Sequence, residues 1–286
     1  MIRIRALLHV DIPFAMKLKE QAGWNQTGAD WRRFLDMQPD GCFMAEWDGR
    51  PVGTTVTCIF GSVAWIAMVL VDPESRGRGI GKALMSHALN FLDSQRVSCV
   101  RLDATPLGKP LYEKLGFVVE YELSRYEGVF KSDLTSTLQA APATERSAQA
   151  NFEDLPDVIR LDNTTTGADR SKFLIRLFSD EPEAIRVIRS ATQVLGFSAS
   201  RAGTSARHIG PCLGTPEVSQ ALMMDAAIRY VGTRVYVDIP MQNKVAIDTA
   251  KGLELSVQRQ LVRMRRGRPV PERTDHIWAS SGPELG

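Results

Sequence analysis

The stretch of sequence that decides the fold of this chain is Val71-Asp72-Pro73-Glu74-Ser75-Arg76-Gly77-Arg78-Gly79-Ile80-Gly81-Lys82. It follows an apolar run at 63–71, which is typical of a strand buried on both faces, and it opens an amphipathic helix. Because glycine has no side chain, such a loop can turn consecutive backbone N–H groups toward one point, at a helix N-terminus whose dipole favours an anion. The pattern predicts a cradle for a diphosphate. Its residues are Arg76, Gly77, Arg78, Gly79, Ile80, Gly81 and Lys82.

Two better-known phosphate loops fit this glycine spacing less well. The dinucleotide-binding fingerprint needs its last glycine at the position where Lys82 stands. The phosphate loop of NTPases needs glycine in place of Arg76 and Ser or Thr in place of Ala83. The sequence therefore argues against NAD and ATP as ligands.

Hydrophobic patterns around the cradle predict an α/β domain over the first half of the chain. Alternating and helical spacings give the order β-α-α-β-β-β-α-β-α-β between Ile2 and about Phe130. The dipeptide Asp48-Gly49 between two strand patterns is typical of a type I′ hairpin turn. We therefore expect the α/β (α+β) class, with a mixed, mostly antiparallel sheet flanked by helices.

The second half repeats part of this order in weaker form, so we expect two similar domains in tandem. Residues 132–150 are rich in Ala, Ser and Thr without a sustained period, which predicts a linker between a domain at 1–131 and a domain at 151–286. At the place of the cradle the second half has Pro211 and Pro216, which donate no N–H. We therefore expect no second diphosphate site.

The composition excludes several classes of function. The chain has 286 residues with 35 Lys and Arg against 33 Asp and Glu, a net charge of +2, which leaves no electrostatic footprint for nucleic acid. Its apolar run at 63–71 is far shorter than the ~20 residues of a membrane span, and the N-terminus lacks the apolar core of a signal peptide. We expect a cytoplasmic protein without membrane contact. The four cysteines, Cys42, Cys58, Cys99 and Cys212, show no disulfide or metal-site spacing, so no metal is expected.

The motifs around the cradle resemble those of the GNAT superfamily of N-acetyltransferases. The family signature is Arg or Gln, two residues, Gly, one residue, then Gly or Ala, and Arg76, Gly79 and Gly81 match it. Leu111-Tyr112-Glu113-Lys114-Leu115-Gly116-Phe117 is similar to a second family motif. Residues 69–71 resemble the family's splayed strand.

The resemblance implies acetyl-CoA as the co-substrate. Its diphosphate would lie on the amides of residues 77–82, and its pantetheine on backbone groups of Val69, Leu70 and Val71. A primary amine of a small molecule or a protein would attack the thioester directly, with a strand N–H near Leu70 stabilising the oxyanion. An alternative is a non-catalytic acyl-CoA-binding regulatory protein that keeps the cradle without turnover.

The resemblance also implies that Tyr112 is the general acid. A phenol with an ordinary pKa near ~10 can protonate the thiolate that leaves when an amine takes the acetyl group. A ring that only covers the sheet is the simpler interpretation. Many family members carry an Asn seven residues before this Tyr, where this chain has Thr105, so one contact to the acyl donor is in doubt.

The residues of the acceptor side are less sharply indicated. Trp24 and Asn25, followed by Gln26, lie between the first two predicted helices, where GNAT folds bind acceptors. Asp103 and Glu46 are carboxylates that could act as the general base. Packing by Trp24 and a solvated strand end for each acid remain open as alternatives.

The second half resembles the C-terminal domain of the YitH-like two-domain bacterial acetyltransferases. The resemblance rests on stretches such as Ile209-Gly210-Pro211, Val237-Asp238-Ile239-Pro240 and Arg263-Met264. Such a half would wall off or supply the acceptor pocket. The residues that would then contact the acceptor are Asp238, Asn243 and Arg201. Caps at the ends of the sheet and surface charge explain them equally well.

Overall fold

The computed structural model describes residues 1–131 and 147–286. The elements of the first segment are β1 Ile2–Ala6, α1 Ile12–Gln21, α2 Gly28–Met37, β2 Cys42–Trp47, β3 Arg50–Phe60, β4 Val63–Val71, α3 Ile80–Ser94, β5 Cys99–Ala104, α4 Lys109–Lys114 and β6 Val118–Val129. Those of the second are β7 Ala148–Gln149, α5 Leu155–Thr166, α6 Ser171–Asp180, β8 Arg186–Arg189, β9 Val194–Arg201, β10 Arg207–Gly214, α7 Pro216–Arg229, β11 Arg234–Pro240, α8 Lys244–Gly252, β12 Ser256–Gly267 and β13 Ile277–Ala279.

The predicted order of elements in the first half is confirmed. Asp48 and Gly49, between β2 and β3, both have positive φ angles of 49° and 79°, as a type I′ turn requires. Helix α2 starts with a reciprocal cap, in which Asp30 N–H donates to Thr27 Oγ1 and Thr27 N–H donates to Asp30 Oδ2. Local sequence signals therefore determine these elements.

The short strands β7, β8 and β13 have no predicted counterpart. Residues 132–146 of the predicted linker lie outside the described residues. Near its end, residues 148–149 form β7 and pair with β8. Strands of two to four residues contain too few positions to show a period in sequence.

All thirteen strands of the described residues belong to one sheet. Its order is β1-β2-β3-β4-β5-β12-β6-β11-β10-β9-β8-β7, and β13 pairs with β10 beside this path. The pairs β4 with β5 and β10 with β11 are parallel, and the other pairs are antiparallel. The predicted tandem α/β architecture with mostly antiparallel strands is confirmed, and the strands of both halves form one continuous sheet.

The two halves exchange their last long strands. Strand β12, from the second half, lies between β5 and β6 and completes the sheet of the first half. Strand β6, from the first half, pairs with β11 of the second half. The two exchanged strands also pair with each other, with Leu123 opposite Leu261. A boundary between 131 and 151 therefore separates the two sequence repeats but does not divide the sheet.

A short repeat accompanies this exchange. A Leu-x-Arg sequence ends at Arg125 on β6 and at Arg263 on β12, and each arginine binds an aspartate of the other half. Arg125 Nε and Nη2 donate to the two carboxylate oxygens of Asp238, at 2.7 and 2.6 Å. Arg263 Nε and Nη2 donate to those of Asp103, at 2.9 and 3.0 Å. Loss of one partner would leave a buried charge uncompensated, so a single substitution in either pair should destabilise the exchanged arrangement.

Helices cover both faces of the sheet. Alternate side chains of β2 point to opposite faces of the sheet. Phe43 and Ala45 pack in the core beneath α3, whereas Cys42 and Met44 pack in the core beneath α1 and α2. Helices α1 and α2 share that core with α5 and α6 of the second half. Helices α7 and α8 cover a core of their own. The domains thus share one core on one face and have separate cores on the other.

Candidate active site

The parallel strands β4 and β5 separate after a short paired segment. Their pairing covers Val63–Trp65 and Cys99–Arg101. Beyond it, β4 contains a bulge against β3 at Met68, whose φ is 52°. A bulge bends a strand and re-aims its backbone, so the edge of β4 that carries residues 69–71 leaves β5 and faces a cleft.

The cleft between these strands has a volume of about 530 Å³. It brings together most of the residues that the sequence predicts for the acyl donor. These are Val69, Leu70, Val71, Arg76, Gly77, Gly79, Ile80 and Gly81. Tyr112, Trp24 and Asp103 line the same cleft. The side chains of Arg78 and Lys82 do not line it, and the Arg78 guanidinium stacks 5.3 Å from the ring centre of Trp47.

The loop before α3 has the backbone geometry of an anion cradle. Gly77 and Gly79 have φ angles of 77° and 80°, the left-handed region that disfavours other residues. A Cβ atom added at either glycine would meet nothing within 4 Å, so the space above them is open. Gly79 caps the 15-residue helix α3, whose first amides have no partner within the helix. This geometry fits a diphosphate.

Tyr112 lies on α4 at the floor of the cleft. Its side chain rests against Gly108, where an added Cβ would come within 2.8 Å of the ring. The residue is 9 % exposed, and its hydroxyl has no hydrogen-bond partner among the described residues. Burial raises the pKa of Tyr112 to about 12. The phenol therefore stays protonated at neutral pH and is free to donate.

The second half separates an equivalent pair of parallel strands, but its own chain fills the gap. Strands β10 and β11 pair only over Arg207–Ile209 and Val235–Val237. Strand β13 then pairs with β10 and places the fully buried Trp278 beside it. Helix α7 begins at Pro216, two residues after β10 ends, so no phosphate loop separates strand and helix. Strand β13 and Trp278 thus lie where the first half has its cleft.

Family comparisons identify both halves. Residues 12–117 match the family model described as the acetyltransferase (GNAT) family, and residues 158–279 match that of an acetyltransferase (GNAT) domain. The chain belongs to the GNAT acetyltransferases. It carries two GNAT domains and is therefore an enzyme of the class that transfers acyl groups from acyl-CoA.

Individual relatives span almost the whole chain. It is 27 % identical to the holothin acyltransferase of a Pseudoalteromonas species, over 92 % of this chain and 87 % of that protein. It is 25 % identical to the uncharacterised N-acetyltransferase YitH of Bacillus subtilis, over 95 % and 94 %. A candidate acetyltransferase of Pyrococcus horikoshii shares the fold with a TM-score of 0.83 at 24 % identity, over 100 % of this chain and 96 % of that one. The resemblance to YitH-like two-domain enzymes is confirmed.

A smaller cavity of about 40 Å³, the inner chamber, adjoins the cleft of the first GNAT domain. The two cavities share the lining residues Trp24, Val69, Asp103, Thr105 and Tyr112. The rest of the chamber is lined by Gln26, Ile66, Ala67, Met68, Arg259, Leu261, Pro283 and Glu284. Both GNAT domains therefore build its wall.

Asp103 lies where the sequence predicts it, but its carboxylate is already engaged. Both of its oxygens accept hydrogen bonds from Arg263, and the side chain is only 1 % exposed. Burial raises the pKa of Asp103 despite this arginine. Glu46, the other predicted base, accepts a hydrogen bond from Arg5 at 2.6 Å and does not line the cleft. Neither acid is a free base at the cleft.

Asn25 does not reach the cleft as an acceptor contact. Its amide donates to Ala206 O at 2.9 Å and accepts from the N–H groups of Ser205 and Ala206. A Cβ on Gly203 would clash with it at 2.1 Å. Asn25 instead fixes a loop of the second domain against the first, because its side chain meets the backbone groups that this loop leaves unpaired.

Asp238, Asn243 and Arg201, the other predicted acceptor contacts, do not line the cleft and are engaged with other parts of the chain. Asp238 binds Arg125 across the exchanged strands. Asn243 caps α8, because its side-chain oxygen accepts from Ala246 N–H at 3.0 Å. Arg201 binds Glu284. Asn243 is therefore a cap, of a helix and not of the sheet, whereas Asp238 and Arg201 form buried ion pairs.

Sequence reasoning missed the residues that β12 and the segment 280–286 bring to the chamber. Arg259 and Leu261 come from β12, and Pro283 and Glu284 from the segment after β13. Trp65 Nε1 donates to Pro283 O at 3.0 Å and holds this segment against β4. The Leu-x-Arg sequence shared by β6 and β12 is too short to have pointed to this exchange, because it also occurs at 174–176 in α6.

Among the described residues, no helix is both long and apolar enough to cross a bilayer. The same residues contain no group of three or more His, Cys, Asp or Glu side chains that could hold a metal ion. The four cysteines are buried thiols that form no disulfide.

Proposed function

We propose that this GNAT enzyme transfers the acetyl group of acetyl-CoA to a primary amine, which attacks the thioester directly. The observation that carries the proposal is the single cleft that joins the glycine cradle, the free edge of β4 and Tyr112. A cradle for an anion, an unpaired strand edge and a protonated acid are the three elements that this reaction requires.

The acyl donor would bind along the length of this cleft. Amides of residues 77–82 would hold the diphosphate at the start of α3. Asp72 N–H donates to Val52 O on the β3 side, so by the alternation of a strand the N–H of Val71 faces the cleft. That free edge would pair with the amide groups of the pantetheine arm. Acetyl-CoA supplies the activated thioester.

Within this arrangement the amine nitrogen forms a bond to the thioester carbonyl carbon, and the C–S bond then breaks. A β4 N–H near Leu70 would stabilise the oxyanion. Tyr112 would donate its proton to the departing sulfur, and its lack of another hydrogen-bond partner supports this role. Because Arg263 holds Asp103, we assign the proton lost by the amine to water in the cleft.

The test is the release of free thiol from acetyl-CoA during incubation with a mixture of small primary amines. We expect release that depends on amine, with acetylated amine detected by mass spectrometry and no release when amine is omitted. CoA binding without any amine-dependent release would instead support a regulatory acyl-CoA-binding protein. Absence of both binding and release would refute the proposal.

A further inference from the structure

Arg259 is placed at the inner chamber by the exchanged strand. Arg259, Leu261 and Arg263 alternate along β12 and therefore share one face of the sheet. The register against β6 shifts between Val257 and Arg259, a bulge that redirects the strand at this point. The side chain of Arg259 thus enters the chamber that Tyr112 also lines.

The charged neighbours of Arg259 already have partners. Asp103 is held by Arg263, and Glu284 accepts hydrogen bonds from Arg201 and from Gln26. Arg125, opposite Arg259 on β6, is held by Asp238. Arg259 itself forms no ion pair with any described residue, and its Nε is buried without a hydrogen-bond partner. The chamber wall therefore contains one guanidinium without a hydrogen-bond or ion-pair partner among the described residues.

Arg259 as a residue is only partly buried, but its Nε–H is enclosed. An enclosed N–H without a partner is unfavourable unless a ligand satisfies it. Burial and the charge of Arg125 lower the pKa of Arg259 to about 10, so the group is still positive at neutral pH. A second unsatisfied atom lies in the same wall. Gln26 Nε2 donates to Glu284 at 2.9 Å, which leaves Gln26 Oε1 buried without a donor. The chamber offers one N–H donor for an anion and one acceptor for an N–H.

We propose that the acceptor is a small amine that carries a carboxylate, and that Arg259 binds this carboxylate in the inner chamber. The inference rests on the proposed function and specifies its substrate class. A volume of about 40 Å³ accommodates about three water-sized groups, which is the size of a carboxylate and not of a large side chain. The amine would then lie next to Gln26 Oε1 and Tyr112, where the chamber meets the cleft.

The first experiment measures binding rather than turnover. The protein saturated with CoA is titrated calorimetrically with each common amino acid and with its carboxamide. We expect at least one amino acid to bind, at least tenfold more tightly than its amide, because a charge-assisted hydrogen bond is lost with the carboxylate. Equal binding of acid and amide, or binding of no amino acid, would overturn the proposal. Tighter binding of aminomethylphosphonate than of glycine would overturn the choice of carboxylate.

The second experiment replaces the guanidinium. In Arg259→Gln we expect the KM for the acid to rise at least tenfold while the KM for acetyl-CoA is unchanged and the preference over the amide disappears. Arg259→Lys should restore part of that preference. The control is Arg266→Gln on the same strand, whose guanidinium binds the exposed Asp93 outside the chamber. An acid preference that survives in Arg259→Gln would contradict the assignment.

The failure of this inference differs from a failure of the proposed function. If the enzyme acetylates amines without a carboxylate as efficiently as amines that carry one, the proposed acetyl transfer is supported and the role of Arg259 is refuted. If CoA does not bind and no amine causes thiol release, both the proposed function and the role of Arg259 are refuted. Calorimetry with CoA alone separates these cases before any acceptor is tested.

Discussion

The two GNAT domains separate a pair of parallel strands in the same way and differ in what lies between them. In the first domain, β4 leaves β5 after Trp65 and the gap opens into a cleft of about 530 Å³. In the second, β10 leaves β11 after Ile209 and the gap receives β13. Ser280 N–H then donates to Asp238 O on β11 at 2.8 Å. The inserted segment thus bonds to both separated strands.

This difference shows two ways to satisfy the same exposed backbone. Strands that part leave N–H and C=O groups that need partners. In the second domain the chain supplies them through β13, whereas in the first we propose that the pantetheine arm of the acyl donor does. The segment after β13 continues to Pro283 and Glu284, which line the inner chamber of the first domain. One segment therefore closes one site and completes the other.

The largest effect is expected when a negative charge in the cradle repels the diphosphate of CoA. In Gly79→Asp we expect CoA binding to be lost, because a carboxylate about 4 Å from a phosphate costs about 4 kcal/mol at an effective dielectric of about 20, roughly a thousandfold in affinity. Calorimetry should give one CoA per chain for the wild type and none for this variant. Gly232→Asp is the matched control, since Gly232 has a similar φ of 76° and open space in the second domain. Full-affinity binding to folded Gly79→Asp would indicate a site elsewhere.

We expect acetyl transfer in the open cleft to depend on the hydroxyl of Tyr112. Tyr112→Phe should leave CoA affinity unchanged and lower kcat by ~10²- to 10⁴-fold, because the proton is needed only as the thiolate forms. The measurement is single-turnover thiol release, with Tyr126→Phe on β6 as a buried control outside the cleft. Wild-type turnover in Tyr112→Phe would assign this ring to packing.

The next prediction concerns Trp278, the buried side chain beside the separated strands β10 and β11 of the second domain. Trp278→Ala should lower the free energy of unfolding by about 3–5 kcal/mol, the usual loss for a large buried aromatic side chain. CoA stoichiometry should stay at one, because β10 runs into α7 without a cradle. Urea denaturation and calorimetry test the two parts. Trp47→Ala, at a half-buried tryptophan, is the control and should lower the free energy of unfolding by less. A second CoA in Trp278→Ala would show that β13 alone keeps the second site closed.

The two aspartates that hold the exchanged strands should respond to acid with opposite signs. Burial favours a raised pKa at Asp238, but Arg125 lowers it to about 2, below the ordinary 3.8. Its stabilisation is therefore complete above about pH 4 and is lost as the pH falls toward 2, by roughly 2 kcal/mol. The pKa of Asp103 is raised, so protonation of this group favours the folded chain.

Urea titrations across this range distinguish the pairs. The difference in unfolding free energy between wild type and Asp238→Asn should narrow from pH 4 to pH 2. The difference for Asp103→Asn should instead widen as the pH falls through the range where Asp103 takes up its proton. If both free-energy differences change in the same direction as the pH falls, the opposite pKa shifts of Asp238 and Asp103 are contradicted.

The sequence by itself determined the local features of this protein. Glycine spacing before a helix and an apolar run before that spacing predict the cradle and the strand, because backbone freedom and periodicity depend on near neighbours in the chain. The family followed from the same residues, through Arg76, Gly79 and Gly81. The order of helices and strands in the first half was also readable in this way.

Only the tertiary structure decided which strands lie side by side and which charges are paired. Asp238 reads as an acceptor contact in sequence, but its partner Arg125, 113 positions away in the chain, occupies its carboxylate. Arg259 gave no signal, because its position at the chamber follows from the insertion of β12 between β5 and β6. Such pairings join residues more than a hundred positions apart, and no local pattern encodes them. Packing and the neutralisation of buried charge select them in the folded chain.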